Sequence, residues 1–190
     1  LVVEDRTNPS LGSVDLRSVE WLDFAQEVAP FEAQGMSVDL FDGIATLDAS
    51  AIADLTELYI AYFNRAPDAV GLFFWGNQLA GGRTLQEIAE LFFDQPETRS
   101  LYGDLSDTPS FVTAVYQNVL GRAPDSNGMS FWLDILENGS AITPATFIQE
   151  IIAGAKADTG DPQDATYLAN KVLVGGHFAV TRGMSDVEDA

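Results

Sequence analysis

A chain of 190 residues, 46% of them apolar, is long enough to bury about two-thirds of its unfolded surface in one domain without help from disulfides. Nine Lys and Arg against 29 Asp and Glu leave a net charge of −20, which repels phosphate backbones and anionic lipid heads and argues against nucleic acid or acidic membranes as partners. The absence of Cys and the single His argue against disulfide scaffolds, thiol nucleophiles and ordinary zinc sites.

No apolar run approaches the roughly 18 residues of a membrane span, so a soluble chain without membrane insertion is expected. Only two of the cations are Lys, Lys156 and Lys171. A surface this rich in carboxylates repels itself until salt or divalent cations screen it. A salty or calcium-rich setting outside the cell is therefore expected.

In chain order, residues 1–13 give no regular pattern. Val14, Trp21, Leu22, Ala25 and Val28 are spaced for a helix that Pro30 ends. Over residues 31–50 that periodicity fails. Met36, Val38 and Leu40 alternate, which suits an extended segment or a long loop packed on a bundle, and Asp39 to Gly43 reads as a turn.

From Ile52 onward the chain repeats itself. At an offset of 57, Tyr59, Arg65, Ala66, Pro67 and Asp68 fall on Tyr116, Arg122, Ala123, Pro124 and Asp125. Gly71, Phe74, Trp75, Leu79 and Gly82 fall on Gly128, Phe131, Trp132, Leu136 and Gly139. Two extra residues in the second copy then pair Thr84 with Thr143, and Phe92 and Phe93 with Ile151 and Ile152. Identity of this density at one register is an internal repeat.

Each copy is predicted as helix, sharp turn, helix, short turn, helix. Leu55, Leu58, Tyr59 and Tyr62, and likewise Val112, Val115, Tyr116 and Val119, make one apolar stripe per first helix. Pro67 and Pro124 disfavour helical geometry in the Ala before them, and Asp68 and Asp125 are placed to cap the next helix. Thr84 with Glu87 forms a capping box, and Thr143 before Pro144 pairs a cap with Pro at the first helical position. A last long helix begins at Asp161 and Pro162 and runs through Tyr167, Leu168, Val172 and Phe178. The organisation expected is an N-terminal tail, helix and irregular segment over 1–50, a helical repeat domain over 51–180 and an acidic, frayed tail over 181–190.

The Arg-Ala-Pro-Asp-x-x-Gly-x-x-x-Trp element, seen twice after a Tyr-containing helix, resembles the bacterial domain family DUF4214. The stretch from Tyr167 to Val172 is similar to the segment after the second repeat in that family. The resemblance covers about residues 51–180. It implies an all-α bundle of two tandem helix-turn-helix repeats with flanking N- and C-terminal helices. It also implies a module of large secreted bacterial proteins, often beside calcium-binding RTX repeats and exported by type I secretion. Polysaccharide-anchoring segments of some S-layer proteins and phycobilisome linker domains share the helix-turn pattern. No Gly-Gly-x-Gly-x-Asp nonapeptide is present in this chain.

Arg65 and Arg122 allow two readings. Each fixes its helix corner by pairing with a carboxylate of a neighbouring helix, or each grips an anionic sugar or other acidic ligand. Trp75 and Trp132 share a stripe with Leu and Met and are expected in the core. Phe73, Phe74 and Phe131 extend beyond that stripe, with Phe73 the exposed aromatic candidate for ligand contact. Gly71 and Gly128 belong to the structural motif.

Asp104, Asp107 and the acids from Asp158 to Asp164 offer oxygen ligands for calcium, but they lack EF-hand spacing and suit caps and turns equally. No other cofactor is expected. His177 has no nucleophile or metal motif beside it and is expected to sit against a helix end. The expected role is a noncatalytic interaction or anchoring module, secreted or at the cell surface, for a surface glycan or a protein partner. The alternatives are a self-assembling linker, with oligomers, and an enzyme acting on cell-wall or capsular sugars.

Overall fold

In the computed structural model, the described residues are 41–181 except Asp104 and Ser140, together with the backbone of four short strands before them. The strands are β1 (Val2–Glu4), β2 (Ser13–Asp15), β3 (Trp21–Leu22) and β4 (Met36–Ser37). They form two antiparallel ribbons, with Val3 opposite Val14 and Trp21 opposite Ser37.

The helix expected over 14–28 is corrected where its residues are described, because Val14 and the Trp21–Leu22 pair stand in strands. β-Branched and aromatic residues suit a pleated backbone, and a pairing partner far along the chain overrides local helical spacing. Met36, read as part of an alternating stretch, is in β4. The rest of that expected helix lies outside the described residues, as do residues 39–40 of the expected turn, whose Asp42 and Gly43 do form a turn, and residues 182–190 of the expected tail, whose Thr181 is helical instead.

The body is an all-α bundle. Its helices are α1 (Ala49–Phe63), α2 (Ala69–Ala80), α3 (Leu85–Phe93), α4 (Pro96–Tyr102), α5 (Thr108–Leu120), α6 (Ser126–Asn138), α7 (Pro144–Lys156) and α8 (Pro162–Gly176). A π-helical turn, His177–Thr181, continues α8. The repeat thus has four helices per copy rather than three. α4 and α8 both open on a Pro, Pro96 and Pro162, whose missing amide costs nothing at the first helical position.

The caps read from the sequence are formed. Asp68 and Asp125 accept from the amides of Gly71 and Gly128, both at 2.7 Å, and Thr84 and Glu87 cap each other's amides. α1 and α5 end on a left-handed residue at matched positions, Asn64 with φ 53° and Gly121 with φ 71°. At Gly121 a side chain is doubly barred, since a Cβ would meet the Tyr167 ring at 2.6 Å.

α1 and α5 are the central helices. Leu55, Leu58 and Tyr62 of α1 and Phe111, Val112, Val115 and Val119 of α5 are buried with Ile88 and Phe92 of α3, Phe147 and Ile148 of α7 and Leu168 of α8. Each such side chain contributes about 1.5–3 kcal/mol on leaving water, so the stripes rather than helix propensity hold the bundle together. Trp75 and Trp132 are half-buried in like surroundings. Trp75 meets Phe92 edge-on at 5.1 Å and Trp132 meets Phe147 at 4.9 Å. Before α1, Ile44 donates its amide to Asn77 Oδ1 at 2.8 Å and Phe41 packs edge-on against Phe73 at 4.8 Å.

Candidate functional site

The two arginines turn the helix corners in the same way. Arg65 grips Glu97 of α4 through Nε–Oε1 at 2.7 Å and Nη2–Oε2 at 3.3 Å, and its Nη1 donates to the Ala66 carbonyl at 3.1 Å. Arg122 grips Asp164 of α8 through Nε–Oδ1 at 2.7 Å and Nη2–Oδ2 at 2.6 Å. Each guanidinium also lies over the Tyr of its copy, Tyr59 or Tyr116, at 5.5 Å. Burial draws the Arg65 pKa down, but the carboxylate of Glu97 outweighs it and the net shift is upward. For Arg122 the hydrogen-bonded Asp164 dominates and raises it. Both forks are spent on carboxylates within the chain.

Gly71 and Gly128 let this corner close. A Cβ at Gly71 would meet Tyr59 Oη at 2.5 Å, and one at Gly128 would meet Tyr116 Oη at 3.2 Å. In the second copy that hydroxyl also accepts from Trp132 Nε1 at 2.9 Å. Burial pushes the phenols of Tyr59, Tyr62 and Tyr102 well up, and those of Tyr62 and Tyr102 donate to the carbonyls of Ala145 and Ala61.

A polar hub that sequence reasoning missed joins the copies. Asn118 Nδ2 donates to the carbonyls of Ile60 and Ala61 at 3.1 and 3.0 Å and lies 2.7 Å from Tyr102 Oη, which itself donates to the Ala61 carbonyl. Lys171 binds three neutral oxygens, Asn64 Oδ1, Asn118 O and Asn118 Oδ1, at 2.9–3.1 Å. Burial lowers its pKa. The ammonium sits where α1 and α5 end, so their C-terminal dipoles compensate it.

The aromatic expectation needs a correction. Phe73 is half-buried under Phe41, and the most exposed aromatics among the described residues are Phe74 and Phe131, at 51% and 57%. They occupy matched positions and each meets the next Trp edge-on, Phe74–Trp75 at 5.0 Å and Phe131–Trp132 at 4.9 Å. One turn beyond Phe74, Asn77 and Gln78 join Arg83 and Glu87 around a polar hollow of about 410 Å³. In the second copy Asp134 and Asn138 come after Phe131 and share a 3.1 Å hydrogen bond. The signal is present in the repeat itself, since Phe74 and Phe131 are identical at the shared register whereas Phe73 falls on Ser130.

The acids proposed for calcium are dispersed in their roles. Asp107 caps α5, Asp161 caps α8 and Asp164 is taken by Arg122, while Asp158 is exposed. Asp104 lies outside the described residues. Among the described residues no three His, Asp or Glu side chains converge as metal ligands. His177 is exposed at the junction of α8 with its π-turn.

Residues 89–146, from the second half of α3 to the first turn of α7, match the family model described as Domain of unknown function (DUF4214). This segment belongs to the DUF4214 family. The match contains α4, α5 and α6 whole, with Arg122, Asp125, Gly128 and Trp132, so it spans the second helix corner. The first corner, with Arg65, Asp68, Gly71 and Trp75, repeats the same geometry outside the matched residues. Searches of the curated proteins and of the solved structures return no match. No helix among the described residues is long and apolar enough to cross a membrane.

Proposed function

We propose that the chain is a noncatalytic anchoring module that binds a surface polysaccharide through two equivalent contacts, centred on Phe74 and Phe131. One observation carries the reading. Nearly every identity between the copies has internal work to do: Tyr59 and Tyr116 pack, Arg65 and Arg122 clamp, Asp68 and Asp125 cap, Gly71 and Gly128 admit the tyrosines, and Trp75 and Trp132 join the core. Phe74 and Phe131 are retained at the same register and left half in water, where a polar residue would cost less.

An exposed ring offers a pyranose its flat apolar face, and neighbouring amide, carboxylate and guanidinium groups such as those beside Phe74 suit vicinal hydroxyls. Two such contacts on one rigid body suit a polymer whose units recur, because the second contact is made at high effective concentration. The acidic surface favours a neutral or cation-screened polymer in a salty, extracellular setting. The buried carboxylates among the described residues, Glu57 and Asp164, are each engaged by a cation, Lys156 and Arg122, which supports a binding role over acid–base chemistry.

Calorimetric titration with the surface polysaccharide of the producing bacterium tests this. Phe74→Ala and Phe131→Ala are each expected to weaken binding about five- to twentyfold, a loss of about 1–2 kcal/mol, and the double variant is expected to abolish it. Unchanged affinity in the double variant would remove the reading.

A further inference from the structure

A second feature stands apart from the Phe contacts and does not depend on them. α8 opens like α4 but runs far beyond it. α4 ends at Tyr102, whereas α8 continues to Gly176 and through the π-turn to Thr181. The extra length lies along α1 and leaves a groove of about 580 Å³, within the range of pockets that hold ligands. Its walls are Ile52 and Thr56 on one side and Leu168, Ala169 and Val172 on the other. Leu173, on its rim, is 74% exposed, and Val180 beside it is exposed too. At the register of the repeat the groove carries Asp54 where the second copy has Phe111, fully buried against Tyr102 and Phe147.

The groove is not electrically neutral. At one end Lys156 Nζ lies 3.0 Å from Glu57 and 3.4 Å from Asp54, so two carboxylates share one ammonium. Apolar walls with a carboxylate excess suit an occupant that is apolar on one side and basic at one end. Neither residues 1–40, residues 182–190 nor a second copy suits it by charge. Residues 1–40 carry two Arg against eight Asp and Glu, residues 182–190 carry one Arg against three, and a second copy brings a charge of −20. Each would set like charges together.

We infer that the α1–α8 groove is a docking site for a basic amphipathic helix of a partner protein, its apolar face against Ile52, Leu168 and Leu173 and a Lys or Arg reaching Asp54 and Glu57.

The probe is a fluorescein-labelled 14-residue Leu/Lys peptide with apolar residues at helical spacing, compared with a peptide of the same composition in scrambled order. Binding is read by anisotropy at near-physiological salt. The amphipathic peptide is expected to bind at least tenfold more tightly than the scrambled one. Leu173→Asp and Val180→Asp are each expected to weaken it at least tenfold, although each adds a negative charge that would strengthen a merely electrostatic attraction. Gln86→Glu, which adds the same charge at an exposed position on α3, is expected to leave the affinity unchanged or slightly tighter. Thermal melts confirm that the surface variants remain folded.

Binding of Leu173→Asp as tight as that of the native chain, or equal binding of the two peptides, would overturn the proposal. So would crosslinks from a Leu173→Cys variant to residues 1–40 or 182–190 of the same chain, or a dimer in sedimentation that Leu173→Asp dissolves.

Discussion

The two helix corners use the same clamp with opposite burial. In the first copy the cation is the covered partner, with Arg65 17% and Glu97 45% exposed. In the second the anion is covered, with Asp164 7% and Arg122 42% exposed. The bidentate geometry is common to both, but the desolvation cost falls on different members of the pair. A repeat can therefore keep its form while moving the electrostatic risk from one residue to another.

The largest expected effect uses that difference. Arg122→Ala leaves the buried Asp164 carboxyl without its guanidinium partner, and is expected to cost about 3 kcal/mol in urea unfolding. Arg65→Ala leaves Glu97 free to hydrate, removes a 3.6 Å contact with the covered Asp68, which the Gly71 amide still holds, and loses the packing over Tyr59 and Phe63, about 1–2 kcal/mol in all. Adding Asp164→Asn to Arg122→Ala should recover part of the loss, because it removes the stranded charge. If Arg65→Ala costs as much as Arg122→Ala, the burial difference does not govern the clamps.

An intermediate effect is expected at the glycine of each corner. Gly71→Ala must push aside the Tyr59 hydroxyl from 2.5 Å, whereas Gly128→Ala meets Tyr116 at 3.2 Å, where a small shift suffices. Gly71→Ala is expected to lower stability by about 2 kcal/mol and Gly128→Ala by less than about 1 kcal/mol. Equal losses by thermal melting would mean that the copies accommodate the methyl alike.

The smallest effect is a slope. Glu57 of α1 has Ala114 as its counterpart in α5. Burial raises the Glu57 pKa above 4.5 against the opposing pull of Lys156. The folded state thus holds this proton more tightly than the unfolded one. Its contribution to stability is full below about pH 4.5 and is lost as pH rises through the folded value. Glu57→Gln should remove that part of the slope in stability measured between pH 4 and 7. An unchanged slope would mean that Lys156 fully offsets the burial.

Local chemistry is legible in the sequence and long-range pairing is not. The caps at Asp68, Asp125 and Thr84 each act over two or three residues, and the apolar stripes of α1 and α5 keep one period, so both can be read directly. The run Leu72, Phe73, Phe74 and Trp75 has no period to fix the helix phase, which is why the sequence points to Phe73 at the surface in place of Phe74. A carboxylate partner for each Arg is anticipated, but Glu97 and Asp164 stand 32 and 42 residues away, and only the folded chain identifies them. Asn118 lies outside the apolar stripe read for α5, and nothing in its neighbours along the chain points to the Ala61 carbonyl it meets across the bundle. The N-terminal strands escape for the same reason, since helical spacing in Val14 to Val28 is silent about the backbone that Trp21 meets at Ser37.

The matched exposure of Phe74 and Phe131 is most directly probed by ¹⁹F NMR of protein labelled with fluorophenylalanine and titrated with a bacterial surface polysaccharide of the kind proposed above. The Phe74 and Phe131 resonances should shift together along one saturation curve while those of Phe92, Phe111 and Phe147 stay fixed. Shifts confined to one of the two, or to neither while the polymer binds, would contradict a module built on two equivalent contacts.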